Sequence, residues 1–173
     1  TADIMGSLRE YYNVERVAIN GNVNSLQERL YTTKDSTNAV LQQRFDAIVI
    51  AAPDSAFTER DKFIIDQYIM YGGKAIWLID QVFADMDSLN TEYNNNTILA
   101  TSKNLNLDDQ FFKYGVRFNK DLVMDLRSAP IPVVNGSYGN QVKTKLFPWP
   151  YFPFLFSKNN HPINKNLDVV KAE

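Results

Sequence analysis

The chain has 173 residues, of which 45% are hydrophobic and 22% charged, so it belongs with ordinary globular proteins rather than disordered or fibrous ones. Its 18 basic residues are balanced by 20 acidic residues, which gives a formal charge of −2 without a long run of either sign. Nucleic acids and anionic membrane surfaces require a basic stripe, so this balance argues against both partners. The lack of cysteine excludes disulfides, thiolate metal sites and cysteine nucleophiles.

The sequence predicts no membrane crossing within the chain. Its longest wholly apolar run, Ala47–Ala52, is far shorter than the roughly 18–20 residues that span a bilayer. No basic or apolar leader follows Thr1, and no obvious terminal element precedes Glu173. We therefore expect any membrane anchor or targeting signal to lie outside these residues.

The first 45 residues predict alternating helix and strand. Apolar residues at helical spacing indicate a helix from Ile4 to Tyr12, and the β-branched run Val14–Ile19 predicts a short strand. After a polar loop, the apolar residues between Ala39 and Phe45 indicate a second, weaker helix.

The clearest pattern is a strand, a helix and a second strand. Asp46–Ala52 is apolar on both faces, as a strand buried between two helix layers must be. Thr58 and Asp61 have capping-box spacing, and Gly72 is the expected left-handed stop. The predicted helix between this cap and Gly72 has its buried face along Ile64, Tyr68 and Tyr71, beside Ile65 and Ile69. Ala75–Ile79 follows as the second strand. This order implies parallel strands with a right-handed crossover.

We therefore predict an α/β fold with a flavodoxin-like, doubly wound, mostly parallel sheet and a less regular C-terminal third that contains a β-hairpin. Further elements are a helix over Leu107–Tyr114 and short strands over Val116–Phe118 and Leu122–Met124. Strands Ile131–Val134 and Val142–Leu146 flank the turn of the hairpin. Residues 1–173 are expected to form one domain, with βαβ units over 1–130 and the hairpin and a Pro/aromatic strap over 131–173.

Ligands of open parallel sheets lie outside the carboxyl ends of the strands. In this chain those ends carry five candidate binding residues: Asn20, Asp54, Ser55, Asp80 and Gln81. The competing interpretation is that these residues only form turns, and it is favoured because they are common turn formers. The edge remains the best place to search for a small-molecule site.

The Pro/aromatic strap, Phe147–Phe154, contains three prolines and five aromatic residues. Prolines enforce an extended backbone, so we expect a long, non-pairing segment buried against the sheet. If some rings stay exposed instead, Trp149 and Tyr151 are candidates for contacting a protein partner or a sugar.

The sequence predicts neither a catalytic centre nor a metal or cofactor site. Gly72-Gly73 leads from a helix into a strand, which is the reverse of a phosphate loop. His161 is the only histidine, and it has no nucleophile elbow to accompany it. The carboxylates Asp80, Asp85, Asp87, Asp108 and Asp109 match no calcium loop, and we interpret them as structural.

From about Asp46 onward the chain resembles the gliding-motility-associated ABC transporter auxiliary family. The matching strings are Asp66–Lys74, Trp77–Asp80, Met86–Leu89, Leu105–Asp109, Tyr114–Arg117, Ile131–Val133, Leu146–Tyr151 and Asn160–Ile163. The resemblance implies the periplasmic domain of a longer inner-membrane protein from a Bacteroidetes-type bacterium, working beside an ABC permease and ATPase.

The resemblance further implies a non-enzymatic, substrate-binding-like role, and the family's likeness to an intraflagellar-transport domain favours assembly. Two alternatives stay open. One is a degenerate or unrecognised hydrolase of amidotransferase-like fold that uses Ser55 or the carboxylates near Asp80, although the cysteine such folds need is missing. The other is a carbohydrate-binding module built on exposed Trp149 or Tyr151.

Overall fold

The computed structural model describes residues 2–31, 39–84, 100–139, 141–157 and 161–172. The chain divides into two compact units, Thr1–Lys120 and Asp121–Glu173. The first contains α1 (Ala2–Arg9), β1 (Gln27–Tyr31), β2 (Ala39–Gln43), β3 (Ala47–Ala51), α2 (Glu59–Met70), β4 (Lys74–Leu78), β5 (Val82–Phe83), β6 (Thr101–Ser102) and α3 (Asp108–Lys113). The second contains β7 (Ser128–Tyr138), β8 (Gln141–Leu155) and β9 (Val170–Lys171). The expectation of one domain over 1–173 stays a prediction.

The predicted strand–helix–strand unit is confirmed. Strands β3 and β4 pair in parallel, from Ala47 opposite Lys74 to Ala51 opposite Leu78, and α2 connects them. Thr58 caps α2, since its Oγ1 accepts a hydrogen bond of 3.1 Å from the backbone N–H of Asp61.

No helix in the described ranges is long and apolar enough to span a bilayer.

The first unit has two apolar clusters, and α2 supplies most of the larger one. Ile64, Ile65 and Tyr68 are buried, and the inward-facing strand residues Ile48, Ile50 and Trp77 pack against them. The smaller cluster holds Leu105, Leu107 and Phe111, and it meets the first through the indole of Trp77, 5.0 Å from the ring of Phe111. Each large buried side chain contributes about 1.5–3 kcal/mol, so these clusters are the main stabilising element of the unit.

The predicted flavodoxin-like, doubly wound sheet is wrong. The described residues form small separate sheets, in the pairs β1–β2, β3–β4 and β5–β6 and the set β7–β8–β9, and β3–β4 is their one parallel pair. A doubly wound sheet needs helices on both faces. Val49 and Ile76 are 51% and 53% exposed, so the face of β3–β4 opposite α2 is uncovered by the described residues.

Five local predictions are also wrong. The Ala39–Phe45 segment, expected to be a helix, contains β2, which pairs antiparallel with β1. Val14–Ile19, Val116–Phe118 and Leu122–Met124 are not strands, because β-branched residues favour a strand only where a partner strand is present. Tyr71 was expected on the buried face of α2, but it follows the last helical residue and is 56% exposed.

The hairpin of the second unit is confirmed, and it is longer than predicted. Strands β7 and β8 stay paired up to Tyr138 opposite Gln141. The Pro/aromatic strap belongs to β8 rather than forming a non-pairing segment, since Phe147 lies opposite Ile131. The register then shifts between Pro130, which faces Pro148, and Ser128, which faces Pro153. Such an irregularity tolerates prolines, which have no N–H to donate to a ladder.

The contact between Gly73 and Tyr68 gives a stability prediction. A Cβ at position 73 would overlap the ring of Tyr68, which is fully buried and donates a 2.9 Å hydrogen bond from its hydroxyl to the Phe45 carbonyl. Because the ring has nowhere to move, Gly73→Ala should lower the free energy of unfolding by about 1–3 kcal/mol. Urea unfolding followed by circular dichroism measures the change.

Gly6→Ala is the matched control. Nothing lies within 4 Å of a Cβ at this helical position, so the substitution should leave stability unchanged or raise it by up to about 1 kcal/mol. Equal stability of the two variants would contradict the packing argument.

Candidate functional site

The predicted edge exists for β3 and β4, whose parallel pairing brings their carboxyl ends to the same side of the sheet. Immediately after β3, Ala52 adopts a φ of 45° and donates its N–H to the Leu78 carbonyl at 2.8 Å. Asp54 and Ser55 follow in exposed positions, and the Ser55 hydroxyl donates to Asp54 Oδ1 at 2.9 Å. The hydroxyl thus donates to the carboxylate of its neighbour rather than to an imidazole, which is the usual base of an activated serine nucleophile.

Asn20 lies in a turn that is attached to the start of α2. Its φ is 45°, and the next residue, Gly21, donates its N–H to Asp61 Oδ1 at 2.7 Å. The other carboxylate oxygen of Asp61 accepts the Thr58 hydroxyl at 2.8 Å. Positive φ is common for Asn in turns, so the geometry fits the turn interpretation of Asn20.

Asp80 forms an ion pair at the end of β4. Its Oδ2 is 2.9 Å from Nζ of Lys103, whose side chain is only 11% exposed. Its Oδ1 accepts the N–H of Val82 at 3.2 Å, which positions the carboxylate against the start of β5. The ammonium of Lys103 also lies 4.5 Å from the centroid of the Phe83 ring, within the range of a cation–π contact.

Gln81 is the most unusual of the predicted residues. It is 7% exposed, and its Nε2 has no hydrogen-bond partner among the described residues. Leaving a buried amide donor unpaired costs about 1–3 kcal/mol. Its backbone carbonyl is satisfied, since it accepts the Lys103 N–H at 2.8 Å. The backbone of Gln81 is therefore held in place, while its side-chain donor is buried without a partner among the described residues.

The sequence analysis missed a polar network between α2 and α3. Nζ of Lys62, whose side chain is 7% exposed, contacts both oxygens of Asp109 at 2.7 and 2.9 Å and Glu59 Oε1 at 3.0 Å. Asn106 donates its Nδ2 to the same Glu59 oxygen at 2.9 Å. One signal was present in the sequence, because Lys62 lies three residues before Ile65 within the apolar stripe of α2.

The charges of this network stabilise one another. The hydrogen bond from Asn106, followed by that from Lys62, lowers the pKa of Glu59, and Lys62 likewise lowers the pKa of Asp109. Burial alone would lower the pKa of Lys62, but its bonds to Asp109 and Glu59 outweigh that effect and raise it. All three groups are therefore ionised at neutral pH. The arrangement fastens two helices together and leaves no titrating group free for acid–base catalysis.

Trp149 and Tyr151 lie together in the second unit. Their ring centroids are 5.7 Å apart with planes inclined by 57°. Tyr151 is 40% exposed and Trp149 is half-buried, so the strap is neither fully buried nor fully exposed.

The remaining candidates for catalysis that the structure describes each make local contacts. Nδ1 of exposed His161 accepts the Ile163 N–H at 3.3 Å, which is a local turn contact. Asp108 pairs with Lys120 at 2.9 Å. Asp85 and Asp87 lie outside the described residues. Within the described residues no cluster of His, Asp or Glu side chains is arranged to hold a metal ion.

Comparison with protein families identifies the chain. Residues 1–173 match a family of auxiliary components described as an ABC-type uncharacterized transport system. The chain belongs to this family. Neither a curated protein nor a solved structure matches it. Membership in the ABC transport auxiliary family confirms the coarser part of the sequence resemblance and indicates association with an ABC transport system.

Tyr114 gives a pH prediction for this auxiliary protein. Burial, followed by the 2.7 Å hydrogen bond that its hydroxyl donates to Asp66, raises its pKa from 10.0 to about 12. A raised pKa means that the unfolded chain loses the proton first, so the stability contributed below about pH 10 is lost as the pH rises toward 12. Unfolding free energies measured across this interval should fall.

The Tyr114→Phe variant should lose less stability over the same interval because it has no proton to release at this position. Burial also raises the pKa of Tyr68, which is present in both proteins. Part of the decline in the free energy of unfolding therefore remains in the variant. Parallel profiles for the variant and the parent would show that Tyr114 does not contribute.

Proposed function

We propose that the chain is a non-catalytic auxiliary module of a gliding-motility-type ABC transport system, acting in assembly beside the permease and ATPase. The observation that carries the proposal is the family match over residues 1–173. In the proposed arrangement the module is the periplasmic part of an inner-membrane protein, as in the Bacteroidetes-type systems that the sequence resembles.

The β7–β8 hairpin supports a role in contacting other subunits. Along it, Val134, Val142 and Leu146 are each 65% exposed, and Phe147 and Tyr151 are 45% and 40% exposed. By the alternation of side chains along a strand, Val134, Val142 and Leu146 lie on one face of the ribbon and Phe147 on the other. Exposed apolar side chains grouped on one face are typical of interaction sites. A two-stranded antiparallel ribbon is only marginally stable by itself and needs further structure packed on it. In the proposed assembly a partner subunit packs on the hairpin and stabilises it.

The contacts of the candidate nucleophile and base among the described residues support a role without turnover. Ser55 is engaged by Asp54, and the described histidine His161 makes a local turn contact. The lack of cysteine removes the nucleophile that amidotransferase-like folds use. Ionised Lys62, Glu59 and Asp109 are bound to one another rather than poised beside a reactive hydroxyl.

The carbohydrate-binding alternative has one observation in its favour, the neighbouring rings of Trp149 and Tyr151. Sugar recognition uses an exposed ring face on which the sugar lies flat. With planes 57° apart, only one of these rings can lie flat on a given sugar. This function therefore ranks second.

A substitution in the hairpin tests the assembly role. In the native host, tagged protein carrying Leu146→Glu should recover at least roughly fivefold less permease and ATPase than the parent, since a buried charge at an interface costs more than about 1 kcal/mol. The matched control is Leu126→Glu, at a leucine of the same unit that is 96% exposed and lies outside the hairpin. Equal recovery with both variants, or none with the parent, would sink the proposal.

A serine-directed probe tests the absence of catalysis. Because the Ser55 hydroxyl donates to the weakly basic carboxylate of Asp54 and to no imidazole or amine among the described residues, a fluorophosphonate should leave Ser55 unmodified. Intact-protein mass spectrometry of the parent and of Ser55→Ala reports the result. Labelling of the parent that disappears in Ser55→Ala would favour the hydrolase alternative.

A further inference from the structure

The β5–β6 ribbon places the unpaired donor of Gln81 beside Lys103. Val82 pairs with Ser102 and Phe83 with Thr101, and the 2.8 Å bond from the Lys103 N–H to the Gln81 carbonyl continues this register. Residues directly opposite in an antiparallel pair have their side chains on the same face, with Cβ atoms about 4.5–5.5 Å apart. Gln81 and Lys103 therefore share one face of the ribbon.

Phe83 lies on the same face, two residues after Gln81. The 4.5 Å distance from Nζ of Lys103 to the centroid of the Phe83 ring agrees with this placement. Phe83 is 52% exposed, whereas Gln81 is 7% exposed and the Lys103 side chain 11%. The face thus has an accessible aromatic end and a buried end with two nitrogen donors.

We infer that this face, formed by Gln81, Phe83 and Lys103, binds a small monoanionic carboxylate with a flat apolar body. One carboxylate oxygen accepts from the Lys103 ammonium and the other from Gln81 Nε2, while the apolar body lies against Phe83. An ammonium has three donors, and a single carboxylate, that of Asp80 at 2.9 Å, engages Lys103 among the described residues.

The charge of Asp80 selects the class of ligand. Asp80 already offsets the positive charge of Lys103, so a bound monoanion leaves one net negative charge over the three groups and a dianion such as phosphate leaves two. The dianion therefore meets about twice the repulsion from Asp80 and is disfavoured. The inference concerns the chain alone. It holds or fails separately from the proposed contact with permease and ATPase.

Titration of the ¹⁵N-labelled chain with four probes tests the site by NMR. Benzoate carries both required features, acetate lacks the ring, benzyl alcohol lacks the carboxylate and inorganic phosphate is the dianion. Benzoate should shift the side-chain amide resonances of Gln81 and bind more tightly than the other three. Equal shifts with benzyl alcohol, equal binding of phosphate, or no shift of the Gln81 amide would each overturn the inference.

Two glutamine variants separate ligand binding from a structural role. Gln81→Met removes a donor without a partner, so it should raise the melting temperature and weaken benzoate roughly tenfold or more. In the control, Gln110→Met, the lost Nε2 donates to the Lys62 carbonyl at 3.3 Å and the Tyr114 hydroxyl at 3.0 Å, and the loss of these two bonds outweighs the removal of Oε1, which has no partner among the described residues. That variant should melt at a lower temperature and bind benzoate as the parent does. A lower melting temperature for Gln81→Met, with benzoate affinity unchanged, would assign Gln81 a structural role instead.

Discussion

The packing of α2 on β3 and β4 is the constraint on which the first unit depends. Tyr68 is central to it, because its ring is fully buried against Gly73 and its hydroxyl binds the Phe45 carbonyl just before β3. One side chain thus fixes the helix against the segments that begin both strands. The parallel pairing follows from this contact, and the shared carboxyl edge that carries Asp54 and Asp80 follows from the pairing.

The other side of α2 contacts α3 and the segment after it through charged and polar side chains. Lys62 reaches Asp109, 47 positions later, while Tyr114 of the segment after α3 binds Asp66. The side chain of Asp109 is 55% exposed, so solvent screens its attraction to Lys62. The ion pair therefore orients α3 against α2 more than it adds to the free energy of unfolding. The apolar contact of Phe111 with Trp77 supplies the stabilisation that holds α3 in place.

Local signals in the sequence predicted the elements that short-range chemistry determines. The Thr58 cap and the Gly72 stop act within a few residues, and both were predicted correctly. The apolar run Ala47–Ala52 was correctly predicted as a strand, but the prediction that both of its faces are buried was wrong, because Val49 is 51% exposed. Strand β1, Gln27–Tyr31, contains Gln, Glu and Arg and forms only by pairing with β2, a contact between distant segments. The doubly wound sheet failed for the same reason, since a local pattern does not reveal whether a second helix layer covers Val49 and Ile76.

For the candidate site too, the sequence predicted which residues lie there but not what surrounds each side chain. The rule for carboxyl edges located Asp80 and Gln81. It could not reveal that Asp80 is paired with Lys103 while Nε2 of Gln81 is buried without a partner among the described residues. Gln110 is buried to a similar extent, and its Nε2 has two partners, although its Oε1 has none among the described residues. A buried amide donor can thus be satisfied in this protein, and the unsatisfied donor of Gln81 at the sheet edge is a cost that ligand binding there would offset.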